Sequence, residues 1–118
     1  MKIVIAGGKA KADYLIRLLN GKGHQLIVIN DDLEFCTYLS QAHQIPVVHG
    51  DPCKLYVLDE ANIEDGDVII ALKAADADNL AICQTAKRLY RVKKTVAVVG
   101  NPKCVDIFKK LGINTAIS

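Results

Sequence analysis

The opening stretch Met1-Lys2-Ile3-Val4-Ile5-Ala6-Gly7-Gly8-Lys9-Ala10-Lys11-Ala12 decides how the chain is read. Ile3-Val4-Ile5 is a short β-branched run of the kind that forms a buried strand, and Gly7-Gly8 punctuates it at once. Beyond the glycines, Leu15, Leu18 and Leu19 recur at helical spacing, which predicts a helix from about Ala10 to Lys22 stopped by Gly23. A strand that passes through glycine into a helix is the first unit of a parallel α/β sheet.

The same alternation continues outward. Leu26-Ile27-Val28-Ile29 predicts a second strand, and Asp31 or Asp32 caps a helix bearing Phe35, Leu39 and Ala42 that Pro46 ends. Val47-Val48 opens a third strand. Asp51 as N-cap with Pro52 at the first helical position predicts a short helix over Lys54 to Ala61, carrying Leu55 and Leu58. Gly66 turns the chain into a fourth strand, Val68 to Leu72, followed by a helix from Asp76 to Tyr90 with Leu80, Cys83, Ala86 and Leu89 on its apolar side. Val96 to Val99 is the fifth strand. Asn101-Pro102 starts a last helix with a Val105, Phe108, Leu111 stripe and Gly112 as stop, and Thr115 to Ile117 forms an edge strand. Short right-handed crossovers then dictate a Rossmann-like, doubly wound parallel sheet, strand order 3-2-1-4-5-6, with helices on both faces and one domain over residues 1–118.

Composition narrows the function. Of the 118 residues 51% are apolar and only 5% aromatic, so the core is built from aliphatic side chains. The 15 basic and 13 acidic residues are scattered, which argues against nucleic acid as a partner. No apolar stretch approaches the ~20 residues of a membrane span, so direct membrane insertion is not expected. Cys36, Cys53, Cys83 and Cys104 lie far apart and read as reduced, mostly buried thiols of a cytosolic protein; their spacing with His24, His43 and His49 does not support a metal site.

In such a sheet the ligand crevice lies above the strand ends, between the first and fourth strands. The first junction, Gly7-Gly8-Lys9-Ala10-Lys11-Ala12, keeps only Gly7 and the small Ala12 of a Gly-x-Gly-x-x-Gly fingerprint. Lys9 at the middle glycine crowds a dinucleotide in the usual pose, yet with Lys11 it stands at a helix N-terminus that favours an anion; both are otherwise solvated lysines of a first turn. Asn30 occupies the ribose-binding position at the end of strand two, or serves the turn; Asp31 is open to ligand contact, and Asp32 suits a cap. Gly50 and Asp51 after strand three offer a close backbone and a carboxylate for a base, or a cap. Lys73 follows strand four as a phosphate partner, and Asp76 and Asn79 start the next helix, with capping the plainer role for Asp76. No His, Cys or Tyr constellation supplies an acid or base, so an enzyme is not expected.

Taken together, Lys2 to Gly8, Val47-Val48-His49-Gly50-Asp51, Asp76 with Asn79-Leu80, and Asn101-Pro102 leading to Ile107-Phe108-Lys109-Lys110-Leu111-Gly112 resemble the RCK or KTN (TrkA-N) nucleotide-binding domain of Trk/Ktr potassium-uptake regulators, from Met1 to Ser118. The resemblance implies a cytoplasmic regulatory subunit, peripheral to the inner face of the membrane. It would bind a nucleotide, form a homodimer or a larger ring, and act on a membrane-embedded potassium transporter or channel subunit. It also implies a C-terminal RCK domain, absent from this chain, and an assembly surface for which Tyr90, Ile107 and Phe108 are candidates, core packing being the alternative for Phe108. Lys9 at the second glycine, Asn30 at the acidic ribose position and Val98 at a common arginine depart from the pattern, and they favour AMP, ADP or ATP over NAD(H). The rival readings are a small NAD(P)-dependent oxidoreductase, or the cofactor half of one, and a ligand-free assembly scaffold.

Overall fold

The computed structural model describes residues 1–118. Six strands, β1 (Lys2–Ala6), β2 (Gln25–Asn30), β3 (Val47–His49), β4 (Val68–Ala71), β5 (Lys94–Val98) and β6 (Thr115–Ile117), form one parallel sheet in the order β3-β2-β1-β4-β5-β6. Five helices alternate with them: α1 (Ala10–Leu19), α2 (Leu33–His43), α3 (Leu55–Glu60), α4 (Asp76–Leu89) and α5 (Cys104–Lys110). β1 is central, with Ile5 opposite Val28 of β2 and Ile70 of β4. The architecture is the doubly wound sheet that the alternation predicts. No helix is long and apolar enough to cross a membrane.

Because successive side chains of a strand point to opposite faces, the sheet divides the core in two. Val4, Ala6, Ile69, Ala97 and Ala116 face α3, α4 and α5, where Val57, Leu58, Ile82, Ala86 and Phe108 close over them. Ile3, Ile5, Leu26 and Val28 face α1 and α2, covered by Ala12, Ile16 and Leu39. The second layer is the thinner one. Towards the β6 edge on that face Val96 and Val98 are only half-buried, and Ile117, paired with Val98, is 52% exposed.

Several local expectations are corrected. α1 ends at Leu19, because Asn20 turns extended and Gly21 takes a left-handed φ of 79°; Leu18 lies about 200° around the helix from Ile16 and is exposed. α2 buries Cys36 and Leu39, whereas Ala42 faces solvent, and left-handed Gln44 ends the helix before Pro46 is reached. Its cap is Asp32, which accepts from the Phe35 amide at 2.9 Å. α3 starts only at Leu55, with Lys54 at its N-cap, and buries Val57 and Leu58 while Leu55 stays exposed. Asp51 therefore does not cap α3; it accepts from the Cys53 amide at 2.9 Å in the turn before it. In α5 Phe108 is core, and Ile107 and Leu111 are exposed. All four cysteines are free thiols. Burial pushes the Cys53 thiol up to about 11 and that of Cys83 to about 12, which keeps both protonated at neutral pH.

Behind the strand ends a polar clasp joins α1 to α2. Asp13 lies 2.6 Å from His43 Nε2 and accepts from the Tyr38 hydroxyl at 3.1 Å and from Arg17 at 3.0 Å. The His43 hydrogen bond is the main reason that the Asp13 carboxyl lies below its ordinary range.

Candidate functional site

The chain leaves β1 through two glycines in succession, Gly7 at φ 83° and Gly8 at φ 91°, a backbone path that side chains with a Cβ rarely take. The approach is also close. A Cβ on Gly7 would lie 2.5 Å from Lys73 Cγ, and one on Gly8 3.0 Å from Leu72 Cβ. The double turn delivers Lys9 to the N-cap of α1, where no side chain bonds the first-turn amides. Those unpaired N–H groups and the helix dipole make an anion-favouring corner.

A crevice of about 500 Å³ opens there, within the range of small-molecule sites. Gly7, Gly8, Lys9, Ala10 and Lys11 form its β1–α1 wall, Asp31 its β2 side, and Leu72, Lys73 and Ala74 its β4 side, with Val98 and Gly100 beyond. Four titratable groups face it, three lysines and one aspartate. The lysines and the free α1 amides suit an anion, and the Asp31 carboxylate suits a hydroxyl donor.

The lysines are not equivalent. Lys9 reaches across to Asp32, with Nζ 2.5 Å from Oδ2 and 5.3 Å from the centroid of the Phe35 ring, and its side chain remains 56% exposed. The Lys9 ammonium, followed by the Phe35 amide, holds the Asp32 carboxyl below its ordinary range. Lys73 is held more firmly. Its stem crosses Gly7, and its ammonium sits 3.2 Å from Asp51, 3.5 Å from Asp31 and 3.8 Å from Asp78, with 18% of the side chain exposed. Burial works against that charge, yet the Asp51 carboxylate, with Asp31 behind it, prevails and raises the ammonium above the ordinary lysine value. A phosphate would have to compete with three carboxylates for Lys73, whereas Lys11 is exposed at the crevice with no ion partner.

Of the residues singled out from sequence, Gly7, Gly8, Lys9, Ala10, Asp31 and Lys73 come together here, and Asn30, Gly50, Asp51, Asp76 and Asn79 do not line the crevice. Asn30 is fully buried, its amide donating to Gly8 O at 2.7 Å and its carbonyl accepting from the Asp32 amide, so neither end is free for a ribose. Asn79, also fully buried, accepts from the Lys73 amide and donates to Lys73 O and Val98 O, each at 2.8 Å. It fixes the ends of β4 and β5 relative to each other. Asp76 is the first residue of α4 rather than its cap, and its carboxylate accepts from the Gly100 and Asn101 amides at 2.6 and 3.2 Å. The Gly100 amide is what lowers the Asp76 carboxyl below its usual range. Gly50 packs against Val57, where a Cβ would come within 2.7 Å.

Lys11, weighed as a phosphate partner from its helix position, belongs to the lining, as do Leu72, Ala74, Val98 and Gly100. Extending the strand-end rule through the fifth strand would have found the last two.

A match to the TrkA-N domain family covers residues 3–118. The chain is 33% identical over 118 residues to a Trk system potassium uptake protein TrkA homolog of Methanothermobacter thermautotrophicus, covering 100% of this chain and 54% of that protein. It is 34% identical to the TrkA of Halomonas elongata, over 99% of this chain and 25% of that protein. The chain thus spans about half the length of the first relative and a quarter of the second. Among solved structures, the GsuK channel bound to NAD superposes with a TM-score of 0.84 at 28% identity, covering 98% of this chain and 21% of that one. GsuK bound to ADP does so with a TM-score of 0.83 at 28% identity, covering 98% of this chain and 30% of that one. By its sequence match along nearly its whole length and by the sheet and crevice described above, the chain belongs to the TrkA-N domain family.

Proposed function

We propose that this domain is the nucleotide sensor of a potassium-uptake regulator: an adenine nucleotide in the crevice shifts a dimer between two arrangements, and a membrane-embedded transporter or channel subunit reads the difference. The observation that carries this reading is the polarity of the crevice, with the uncapped α1 N-terminus, Lys9 and Lys11 on one side and Asp31 on the other. A phosphate suits the first end and a ribose the second. The relatives named as Trk potassium uptake proteins, and GsuK structures bound to NAD and to ADP, support it. In this reading the domain is regulatory rather than enzymatic, works at the cytoplasmic face of the membrane, and assembles as a homodimer or a larger ring. Regulation also requires the nucleotide to prefer one arrangement, since equal affinity for both would shift nothing.

AMP, ADP or ATP is favoured over NAD(H). Lys9 stands where a dinucleotide fingerprint has glycine, and its side chain bridges to Asp32 across the β1–β2 side of the crevice. Calorimetric titration with AMP, ADP, ATP, NAD and NADH in parallel tests the reading. Micromolar binding of a mononucleotide with weaker NAD is expected. Tight NADH binding would restore the oxidoreductase, and no binding at millimolar concentration would leave an assembly scaffold.

A further inference from the structure

The 15 basic and 13 acidic residues nearly balance over the whole chain but not along it. Residues 87–110 hold eight basic residues and one acidic residue, Asp106, while the other 94 residues hold seven basic and twelve acidic. The fold gathers most of this excess at one edge. In a parallel sheet each connecting helix runs back against its strands, so helix ends and strand starts share the edge opposite the crevice. Lys87 and Arg88 lie in the last turn of α4, Lys109 and Lys110 in the last turn of α5, and Arg91 and Lys93 lead into β5, which Lys94 begins. Two contacts draw these pieces into one rim: Lys87 Nζ donates to Gly112 O at 2.7 Å, and Asn114 Oδ1 accepts from the Thr95 amide at 2.9 Å.

All seven cations are exposed, and none forms an ion pair. Of the acidic groups nearest in the fold, Asp67 pairs with Lys2 at 3.3 Å, Glu64 lies 4.0 Å from the same ammonium, and Asp59 accepts from the Tyr90 hydroxyl. Glu60, Asp65 and Asp106 remain, three charges against seven. The macrodipole gives a reason for cations in the last turns of α4 and α5, but Arg91, Lys93 and Lys94 lie outside any helix. Leu89 and Leu111, at the ends of the same two helices, are 61% and 48% exposed among these charges. We propose that this rim docks on an anionic phospholipid bilayer, its lysines and arginines meeting headgroup phosphates while Leu89 and Leu111 enter the interface. Unpaired cations interleaved with aliphatic side chains suit such a surface. Nucleic acid fits less well, because the aromatic ring of the rim, Tyr90, is half-buried and bonded to Asp59, which leaves no platform for a base. The crevice lies at the opposite edge, so docking leaves it open and the inference stands apart from the nucleotide reading.

The test is flotation of the natural chain with phosphatidylcholine vesicles, with and without about one-third phosphatidylglycerol. Binding to the anionic vesicles should exceed binding to the neutral ones about tenfold or more, and should fall at least about tenfold between 0.05 and 0.5 M salt. Each cation at the surface is worth about fivefold in affinity, so the double variant Lys109→Gln, Lys110→Gln should lose about tenfold or more. The double variant Lys54→Gln, Lys103→Gln removes the same charge outside the rim, at the starts of α3 and α5, and should stay within about twofold. Equal binding to both kinds of vesicle, equal losses from the two double variants, or tighter binding to a short DNA duplex than to the anionic vesicles overturns the proposal. A nucleotide titration that the Lys109→Gln, Lys110→Gln variant leaves unchanged supports the separation of rim from crevice, and a parallel loss of nucleotide overturns it.

Discussion

Replacing Asn79 by alanine removes the one side chain that ties the end of β4 to the end of β5. Three hydrogen bonds of 2.8 Å are lost: one accepted from the Lys73 amide and one donated to each of the Lys73 and Val98 carbonyls. At about 1 kcal/mol net for each, the bonds sum to roughly 3 kcal/mol, and a backbone amide left without its partner in a buried position adds about 1 kcal/mol more. The side chain is fully buried, so relaxation into solvent recovers little of this. The expected loss is about 3 to 5 kcal/mol, a large share of the 5–15 kcal/mol typical of a domain. Urea unfolding followed by circular dichroism reads it as a lower midpoint with an unchanged slope. A thermal melt should fall by more than ~10 °C. Asn79→Asp sharpens the test, because the isosteric carboxylate can still accept from Lys73 N–H but faces two carbonyls with no hydrogen to donate. A loss below about 1 kcal/mol for Asn79→Ala, or a neutral Asn79→Asp, would refute this account of the crevice rim.

Gly7→Ala should cost about 2 to 4 kcal/mol, combining roughly 1–2 kcal/mol of left-handed backbone strain with a Cβ 2.5 Å from Lys73 Cγ. Gly21→Ala, at φ 79° with nothing within 4 Å, should cost the strain alone, and equal urea midpoints for the two variants would remove the close packing from the explanation. Asp13, Asp32, Asp51 and Asp76 all lie below the ordinary carboxylate range, led by the His43 hydrogen bond, the Lys9 hydrogen bond, the Cys53 amide and the Gly100 amide respectively. Each depressed value stabilises the fold fully above the unfolded pKa of about 3.9, and that contribution fades as pH falls through the folded value. The urea midpoint should therefore drop below about pH 4, and Asp13→Asn should drop less steeply; parallel curves would clear Asp13 of any part in the acid loss. Lys9→Ala should weaken AMP about tenfold while leaving adenosine within about twofold, as a charge-assisted contact to phosphate requires. Equal losses for both ligands in calorimetry would take the phosphate role from Lys9.

The fold was legible because its strands are β-branched runs bounded by glycine, proline or aspartate, and because β–α alternation leaves few ways to wind a parallel sheet. Ile3-Val4-Ile5-Ala6-Gly7-Gly8 marks the β1 wall of the crevice, and the strand order supplies its β4 side. Helix faces were less legible: Leu18, Ala42 and Leu111 are as apolar as the residues that are buried, and only the placement of each helix on the sheet decides which side is covered. The division of labour at the strand ends was legible only in part: Asp32 reads as a cap and caps α2. Asn30 and Asn79 look like ligand contacts by position, and both are spent on backbone groups brought near by strands distant in sequence. Lys73 lines the crevice, and its three carboxylate partners come from the β2 and β3 ends and from α4, a convergence that exists only once the sheet is assembled. Lys11 was visible as a helix-start lysine, and it lines the crevice.

The position of β1 bears on how the protein is made. Of the six strands of this domain the first to be synthesised is central, paired along one edge with residues 25–29 and along the other with residues 68–71. Its first neighbour arrives early, and the βα unit that joins them closes through a short loop. Its second edge stays unpaired until some sixty more residues have been added, about 3 to 12 s at ordinary rates of synthesis. Throughout that interval Ile3, Val4 and Ile5 present an open, apolar hydrogen-bonding edge, the kind to which other nascent chains and chaperones attach.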